Sequence, residues 1–429
     1  MSEYVIEKSC DVVVCGSGPA GLGAAVSARK KGASVMLLEA AGLPGGIIPA
    51  VPWMPVNRLL LKDNARTYAH DTLVRHIRKY GDFAWMPGPT DKINGDGLSV
   101  HPEYAEIAIY DMLDEAGIDY VLLSPVRDVI KENGRVAGVV VREKRGLVAY
   151  HAKVVVDATG DGDVAAAAGC EFAEGREEDG IHMPITLGFS LCGIDKEKFF
   201  PWWNAEHEVQ YKKMADEAEE RGYYIAAWIW FPHGTLPGII GCNHGAWRKQ
   251  NLKSSGLDSA DLTAARRNGL FVARDIVRIF QENKVPGAEN CSIDRVGALL
   301  GVRDTRRIVG EYTLSFEDTQ KDQQFPDTIA RKWGYIDANQ VYIGPMDSGF
   351  SYPYRSLVPK KVDGLLVAGR CASASFMGHT AGKSMGNMME LGVAAGTAAA
   401  LCAKSGVVPR ALDVSKLRDV LIHEMGVKL

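Results

Sequence analysis

The apolar and polar positions along this chain predict elements from the first turn onward. Asp11-Val12-Val13-Val14-Cys15 reads as a buried strand, Gly16-Ser17-Gly18-Pro19-Ala20-Gly21 as a turn, and Leu22 to Arg29 as a helix. A second apolar run ends in Glu39. Asp71 to Tyr80 is a helix-like stretch between loops, to which no function attaches. His101-Pro102-Glu103 opens a helix running to about Glu115 and stopped by Gly117, and a strand follows over Tyr120-Val121-Leu122-Leu123. Three apolar runs come next: Val126 to Lys131, Val136 to Glu143 and Tyr150 to Val156, with Asn133-Gly134 between the first two. Asn-Gly between apolar runs is a hairpin signal, so this stretch predicts an antiparallel meander inserted in an α/β frame. Near the C-terminus, Val362 to Ala368 predicts a strand ending in Gly369-Arg370, and Gly382 to Ala400 contains a long helix of small residues.

The glycine turn points to a chemistry. Gly16 allows the tight turn, Gly18 lets a pyrophosphate approach the backbone, and Gly21 lets the helix pack on the strand, with Pro19 and Ala20 between them at the phosphate site. Phosphates there would sit on a helix N-terminus, and Glu39 can accept hydrogen bonds from both hydroxyls of an adenosine ribose. Strand, turn, helix, strand and acid together predict dinucleotide binding. Gly42-Leu43-Pro44-Gly45-Gly46 breaks any helix and predicts a loop over the cofactor, Gly45 and Gly46 allowing close approach. The third meander strand runs into Asp157-Ala158-Thr159-Gly160-Asp161-Gly162-Asp163, a second backbone crossing near the cofactor. A nicotinamide dehydrogenase would leave the 353–400 segment unexplained. An extended FAD needs such a distant strand and helix.

Composition bounds the partners. The chain has 429 residues, 46% hydrophobic and 24% charged, with a net charge of −4. That length allows two domains, and the charge balance argues against nucleic acid as a partner. No apolar run is long enough to span a bilayer, and no signal segment precedes the first strand, so a cytoplasmic location is expected. None of the eight cysteines has CxxC spacing and no HExxH occurs, so no metal site is expected.

Four separated motifs carry a resemblance: Arg306-Arg307-Ile308-Val309-Gly310-Glu311-Tyr312, Pro353-Tyr354-Arg355-Ser356-Leu357, Leu365-Leu366-Val367-Ala368-Gly369-Arg370, and the Asp157 to Asp163 segment. With the N-terminal fingerprint, the chain resembles the FAD-dependent oxidoreductases with a glutathione-reductase-type FAD fold, from about residue 10 to 402. The resemblance implies a Rossmann-like FAD-binding domain, discontinuous over 1–170 and 353–429, with a parallel sheet and the inserted meander. A mixed α+β substrate domain would occupy 171–352. It also implies that Gly16, Gly18 and Gly21 hold the pyrophosphate, Glu39 the ribose and Val126 the adenine through its backbone. Gly160, Asp161, Gly369 and Arg370 would line the cofactor, and the helix beginning near Gly386-Asn387-Met388 would point at the flavin. The chain departs from the pattern at Phe376, where many relatives carry histidine, and at Lys383-Ser384-Met385-Gly386, where many carry Arg-x-Met-Pro.

The expected reaction is hydride transfer between a small polar substrate, of CH–OH or CH–NH type such as a sugar, glycoside or hydroxy acid, and flavin N5. The alternatives are a reductase fed by an external donor, and a flavoprotein subunit with structural FAD. His379 is the first expected base, with Lys383 as its electrostatic partner or an anion clamp, and His182 next; His233 and His244 are further candidates. Arg306 and Arg307 are expected to form structural ion pairs with acids such as Glu311. Five tryptophans between 202 and 247 predict mostly sheet core, with stacking walls for a ligand as the other reading. No second GxGxxG unit appears in 170–350, so oxygen, a quinone or a carrier protein is the expected electron partner, and a homo-oligomer stays open.

Overall fold

The computed structural model describes residues 6–61, 64–88, 97–321, 323–337, 343–345 and 349–429. The expectation about the segment preceding the first strand falls partly on residues 1–5, outside the described residues. Strand β1 (Ile6–Cys15) leads through the glycine turn into α1 (Pro19–Lys30) and β2 (Val35–Leu38). Pro19 takes the first helical position, where a missing N–H costs nothing. Helix α2 (Tyr68–Arg78) starts three residues before the sequence expectation, because the Thr67 hydroxyl caps it by accepting from His70 N. Helix α3 (Pro102–Ala116) begins at its proline and ends at Gly117, which has φ 62°. Strand β3 (Asp119–Val121) and the meander β4 (Val126–Glu132), β5 (Arg135–Glu143) and β6 (Gly146–Asp157) follow.

A second sheet comes from the middle of the chain: β7 (Phe189–Cys192), β8 (Ile229–Trp230), β9 (Ile240–His244) and β10 (Ser292–Val296), in the order β8-β9-β7-β10. Helix α4 (Ser259–Glu282) buries Val272, Ile276 and Phe280 with Phe189 and Leu191 of this sheet. Trp203 is 4% exposed and packs among Phe199, Phe231 and Phe280, so it serves as core.

The chain then returns to the first sheet as β11 (Leu365–Val367), followed by α5 (Phe376–Thr380) and α6 (Met385–Ser405). The first sheet runs β3-β2-β1-β6-β5-β4, parallel from β3 to β6 and antiparallel beyond. Strand β6 joins the two patterns because of its length. Its first half, Gly146–His151, pairs with β5, and its last residues, Val155–Asp157, pair parallel with β11. The C-terminal ends of β1, β6 and β11 thereby meet at one edge, the usual ligand side of such a sheet.

Small residues in α6 bring it against α1. A Cβ on Gly392 would lie 1.9 Å from Ala20 O, one on Gly396 2.0 Å from Ala24 O, and one on Gly23 2.3 Å from Met389 O. The two helices touch backbone to backbone, so side chains are excluded from the seam. No helix among the described residues is long and apolar enough to cross a membrane, and none of them form a metal-binding cluster.

Candidate functional site

The glycine turn is closed on two sides and open on one. A Cβ on Gly16 would come within 2.4 Å of Ala158 O, and one on Gly21 within 1.8 Å of Gly16 O, whereas one on Gly18 would meet nothing within 4 Å. Gly18 is the N-cap of α1 and offers no side chain to its free N–H groups. The loop 42–46 folds over this point: Gly45 N donates to Ser17 O at 3.0 Å, and a Cβ on Gly46 would lie 3.0 Å from Gly18 Cα. Open backbone beside helix N–H groups suits a pyrophosphate.

Glu39 lies beside the turn. Its Oε2 accepts from Ser17 N at 2.7 Å and Ser17 Oγ at 2.6 Å, and its Oε1 accepts from Ala41 N at 2.7 Å. A carboxylate offers about four acceptor positions, so one remains for a ribose hydroxyl and not the expected pair. Val126 opens β4, two residues beyond Ser124, whose N–H donates to Glu39 O at 2.8 Å.

Gly160, Asp161 and Arg370 form one knot with Thr305. Asp161 Oδ1 accepts from Arg370 Nη2 at 2.7 Å and from Thr305 Oγ1 at 2.8 Å, and Thr305 Oγ1 accepts from Arg370 Nη1 at 2.9 Å. Gly369, one residue before Arg370, has room for no Cβ, which would sit 2.9 Å from Ala20 Cβ. Thus segments near 16–21, 45–46, 158–161 and 369–370 converge on the start of α1. At the start of α6, Ser384 Oγ is buried and has no hydrogen-bond partner among the described residues, a costly state that a polar ligand would relieve. These observations fit an FAD lying from the glycine turn toward α6.

Two expected cofactor contacts on α6 are used internally. Asn387 is fully buried, its Nδ2 donating to Trp333 O at 2.6 Å and Gly382 O at 2.8 Å while its Oδ1 accepts from Arg66. Gly386 N donates to Asn57 O at 3.0 Å, and a Cβ there would lie 1.9 Å from Arg58 O. Gly386 therefore holds the start of the helix against 57–59, and the Asn387 side chain ties it to Trp333, Gly382 and Arg66. Met388 is the third residue of that expectation and is 8% exposed.

The three expected catalytic side chains meet around an acid that sequence reasoning missed. Asp304 Oδ2 lies 2.9 Å from His182 Nδ1, and Asp304 Oδ1 accepts from Met183 N at 2.7 Å. The carboxylate holds Nδ1 protonated and leaves Nε2 as the acceptor nitrogen. This hydrogen bond raises the His182 pKa above its ordinary value, burial opposing it. Burial alone would raise Asp304, but the bond and charge of His182 hold it below the usual carboxylate range. On the other side, His379 Nε2 donates to Arg303 O at 3.0 Å. Burial, and then the Lys383 ammonium, push His379 down to about 3. Lys383 itself rests against Met183 Sδ.

The surroundings of the two histidines thus act in opposite directions. His379, the first expected base, is a weak one in this setting because a proton on it would be buried beside a cation. His182 has the acid partner that a base near neutral pH needs. His244 is fully buried with both ring nitrogens engaged, Nε2 with Leu187 O at 2.6 Å and Nδ1 with Ala246 N at 3.1 Å. His233 stacks on Phe200 at 3.7 Å between ring centroids. His244 is thereby structural, whereas His233 is exposed. Arg306 pairs with Asp163 at 3.1 Å and Arg307 with Glu177 at 3.0 Å. The expected partner Glu311 is bound instead by Arg410 of the C-terminal segment.

Asp304 stands two residues before the Arg306-Arg307 motif, and that adjacency was its one signal in the sequence. Its partner lies 122 residues away, a distance that no spacing rule covers.

A family model described as FAD dependent oxidoreductase matches residues 11–421. The digeranylgeranylglycerophospholipid reductase of Picrophilus torridus is 30% identical over 163 residues, 36% of this chain and 40% of that protein. The 8-methylmenaquinol:fumarate reductase flavoprotein subunit of Wolinella succinogenes is 30% identical over 191 residues, 35% of this chain and 31% of its own. Among solved structures, a geranylgeranyl bacteriochlorophyll reductase-like protein of Thermoplasma acidophilum aligns with a TM-score of 0.50 at 16% identity, covering 97% of this chain and 84% of the other. The flavin-dependent brominase Bmp2 aligns with a TM-score of 0.52 at 16% identity, covering 96% and 83%. The sequence matches thus span less than half of each curated relative, and the structural matches establish the fold.

Proposed function

The chain belongs to the FAD-dependent oxidoreductase family, and on that premise we propose that it oxidises a C–H bond beside an O–H or N–H group in a small polar substrate. FAD is the cofactor, and when bound it supplies a two-electron hydride acceptor at N5. His182 Nε2 takes the accompanying O–H or N–H proton, and Asp304 steadies the imidazolium that results. The observation that carries this reading is the buried His182–Asp304 pair at 2.9 Å, a base oriented by an acid beside the helix expected to face the flavin. Glu39, Gly18, Gly160, Asp161, Gly369 and Arg370 hold the cofactor in this reading, with Val126 at the adenine. The FAD domain is read as glutathione-reductase-type over 1–170 and 353–429, with the substrate domain over 171–352, on the strength of the motifs and the two separate sheets. Electrons leave to oxygen, a quinone or a carrier protein.

Anaerobic stopped-flow mixing of the FAD-loaded protein with alcohols, hydroxy acids, glycosides and amines tests the proposal. Bleaching of the flavin by one class, restored by air or a quinone, is the expected result. A flavin that none of these reduces, but that NADPH or dithionite-reduced carrier does reduce before an added acceptor reoxidises it, would reverse the direction and overturn the reading.

A further inference from the structure

We propose that Lys332 supplies the positive charge that balances the flavin once it is reduced. This rests on the flavoenzyme reading above and adds a residue that sets the electron affinity of the cofactor. Lys332 ends the strand Thr328–Lys332, is 5% exposed, and makes no hydrogen bond or ion pair among the described residues. Its ammonium lies over the Tyr352 ring, 4.2 Å from the centroid, with the Phe350 ring centroid at 6.0 Å. Two segments that the reading puts at the cofactor bracket this lysine. On one side the Tyr352 hydroxyl donates to Ser373 O at 3.2 Å, in the stretch that follows Gly369-Arg370. On the other, a Cβ on Gly382 would lie 3.1 Å from Lys332 Cβ and 3.4 Å from Asn387 Nδ2, so the lysine stem starts beside the turn that leads into α6.

The buried charges around it leave Lys332 unbalanced. The Arg66 guanidinium pairs with Glu390 of α6 and donates to Asn387 Oδ1 at 2.5 Å, Arg331 O at 2.6 Å and Arg58 O at 3.1 Å. Glu390 also accepts from Arg331 N at 3.2 Å. The acid is thus committed to Arg66, and the charge acting on Lys332 is Arg66 itself, a second cation. Burial, and then that repulsion, pull Lys332 down from 10.5 to about 7. His70, whose Nε2 donates to Gly386 O at 2.8 Å, is pushed down to about 3 by burial and Arg66 and adds no charge. A buried ammonium with no acid is costly until an anion reaches it. The free N–H groups in the first turn of α6 favour an anion at the same place. A hydride arriving at N5 leaves the flavin ring one negative charge richer, while the substrate proton goes to His182. Lys332 therefore steadies the reduced ring more than the neutral oxidised one.

Equilibration of the FAD-loaded protein with a reference dye at pH 6, where Lys332 is mostly protonated, tests the proposal. The readout is the ratio of reduced to oxidised flavin at one fixed dye potential. Lys332→Met is expected to lower that ratio about tenfold, which is ~30 mV for a two-electron couple. Glu390→Gln removes the negative charge and leaves Arg66 its bonds to Asn387, Arg331 and Arg58, and is expected to raise the ratio by a similar factor. Lys332→Met should also melt no lower than the parent with oxidised FAD bound, because it strands no partner. A ratio that Lys332→Met leaves unmoved or raises, a shift of both variants in the same direction, or a collapse of the Lys332→Met melting temperature would overturn the proposal. Should Glu390→Gln not fold, Lys332→Met decides alone. If the ratio is unmoved while an alcohol or amine still bleaches the flavin, the flavoenzyme reading stands and the role of Lys332 falls. If the ratio shifts as expected and no substrate of any class reduces the flavin, the inference stands and that reading falls.

Discussion

The glycine turn at the head of α1 and the acid–histidine cluster around Asp304 are built by opposite means. The turn is made of backbone: Gly16, Gly18 and Gly21 lie within six consecutive residues, and their roles follow from which of them has room for a Cβ. The cluster is made of side chains drawn from positions 182, 303–304 and 379–383, and its roles follow from which charges face each other. Damage to the first should therefore act on whether the protein forms or holds its cofactor. Damage to the second should act on rate and pH dependence in a protein that remains yellow.

The seam between α1 and α6 should give the largest effect. Gly392→Val would force a branched side chain into a backbone contact where even a Cβ falls 1.9 Å from Ala20 O. Overpacking costs about 1–3 kcal/mol when neighbours can shift, and a helix backbone shifts less readily than a side chain. The expected outcome is little folded flavoprotein, read from soluble yield and bound-flavin absorbance. A normally folded, yellow Gly392→Val protein would break the account of why α6 is rich in small residues.

Gly18→Val separates folding from binding. Gly18 has φ −60° and open space at its Cβ position, so valine fits the chain. The variant should keep the melting temperature of the apo protein within a few degrees while losing most of its FAD, measured by thermal unfolding with and without added FAD. Full flavin content would remove Gly18 from the pyrophosphate site.

His182→Asn should retain FAD and slow flavin reduction by about 10²–10⁴-fold, the usual contribution of a general base. Asp304→Asn should slow it less and should move its pH dependence. The hydrogen bond from Asp304 raises the His182 pKa, and a base works only when unprotonated, so the parental rate falls as pH drops through that raised pKa. Without the carboxylate the pKa drops, and the acid limb of the stopped-flow rate profile moves to lower pH. An unmoved limb would show that the titrating base lies elsewhere.

His379→Gln should have the smallest effect. Its pKa of about 3 keeps it neutral at working pH, and its role is one hydrogen bond to Arg303 O. A change in the reduction rate within about threefold is expected, well under the loss of a general base. A loss as large as that of His182→Asn would restore His379 as the proton acceptor and sharpen the cluster in the other direction.

Much of the frame was legible in the chain by itself. The Asn133-Gly134 turn marked the β4–β5 hairpin, Pro102 and Gly117 bounded α3, and the spacing of Gly16, Gly18 and Gly21 marked the start of α1. These signals are local, since a turn, a cap or a glycine acts within a few residues of itself. The tertiary structure alone decided that β6 would carry both β5 and β11 on one edge, and that Gly392 and Gly396 face α1. It alone decided that Asn387 is spent within the fold and that Asp304 hydrogen-bonds His182. Basicity depends on burial and on the sign of charges a few ångströms away, and for His182 those neighbours are set by packing between segments 122 residues apart.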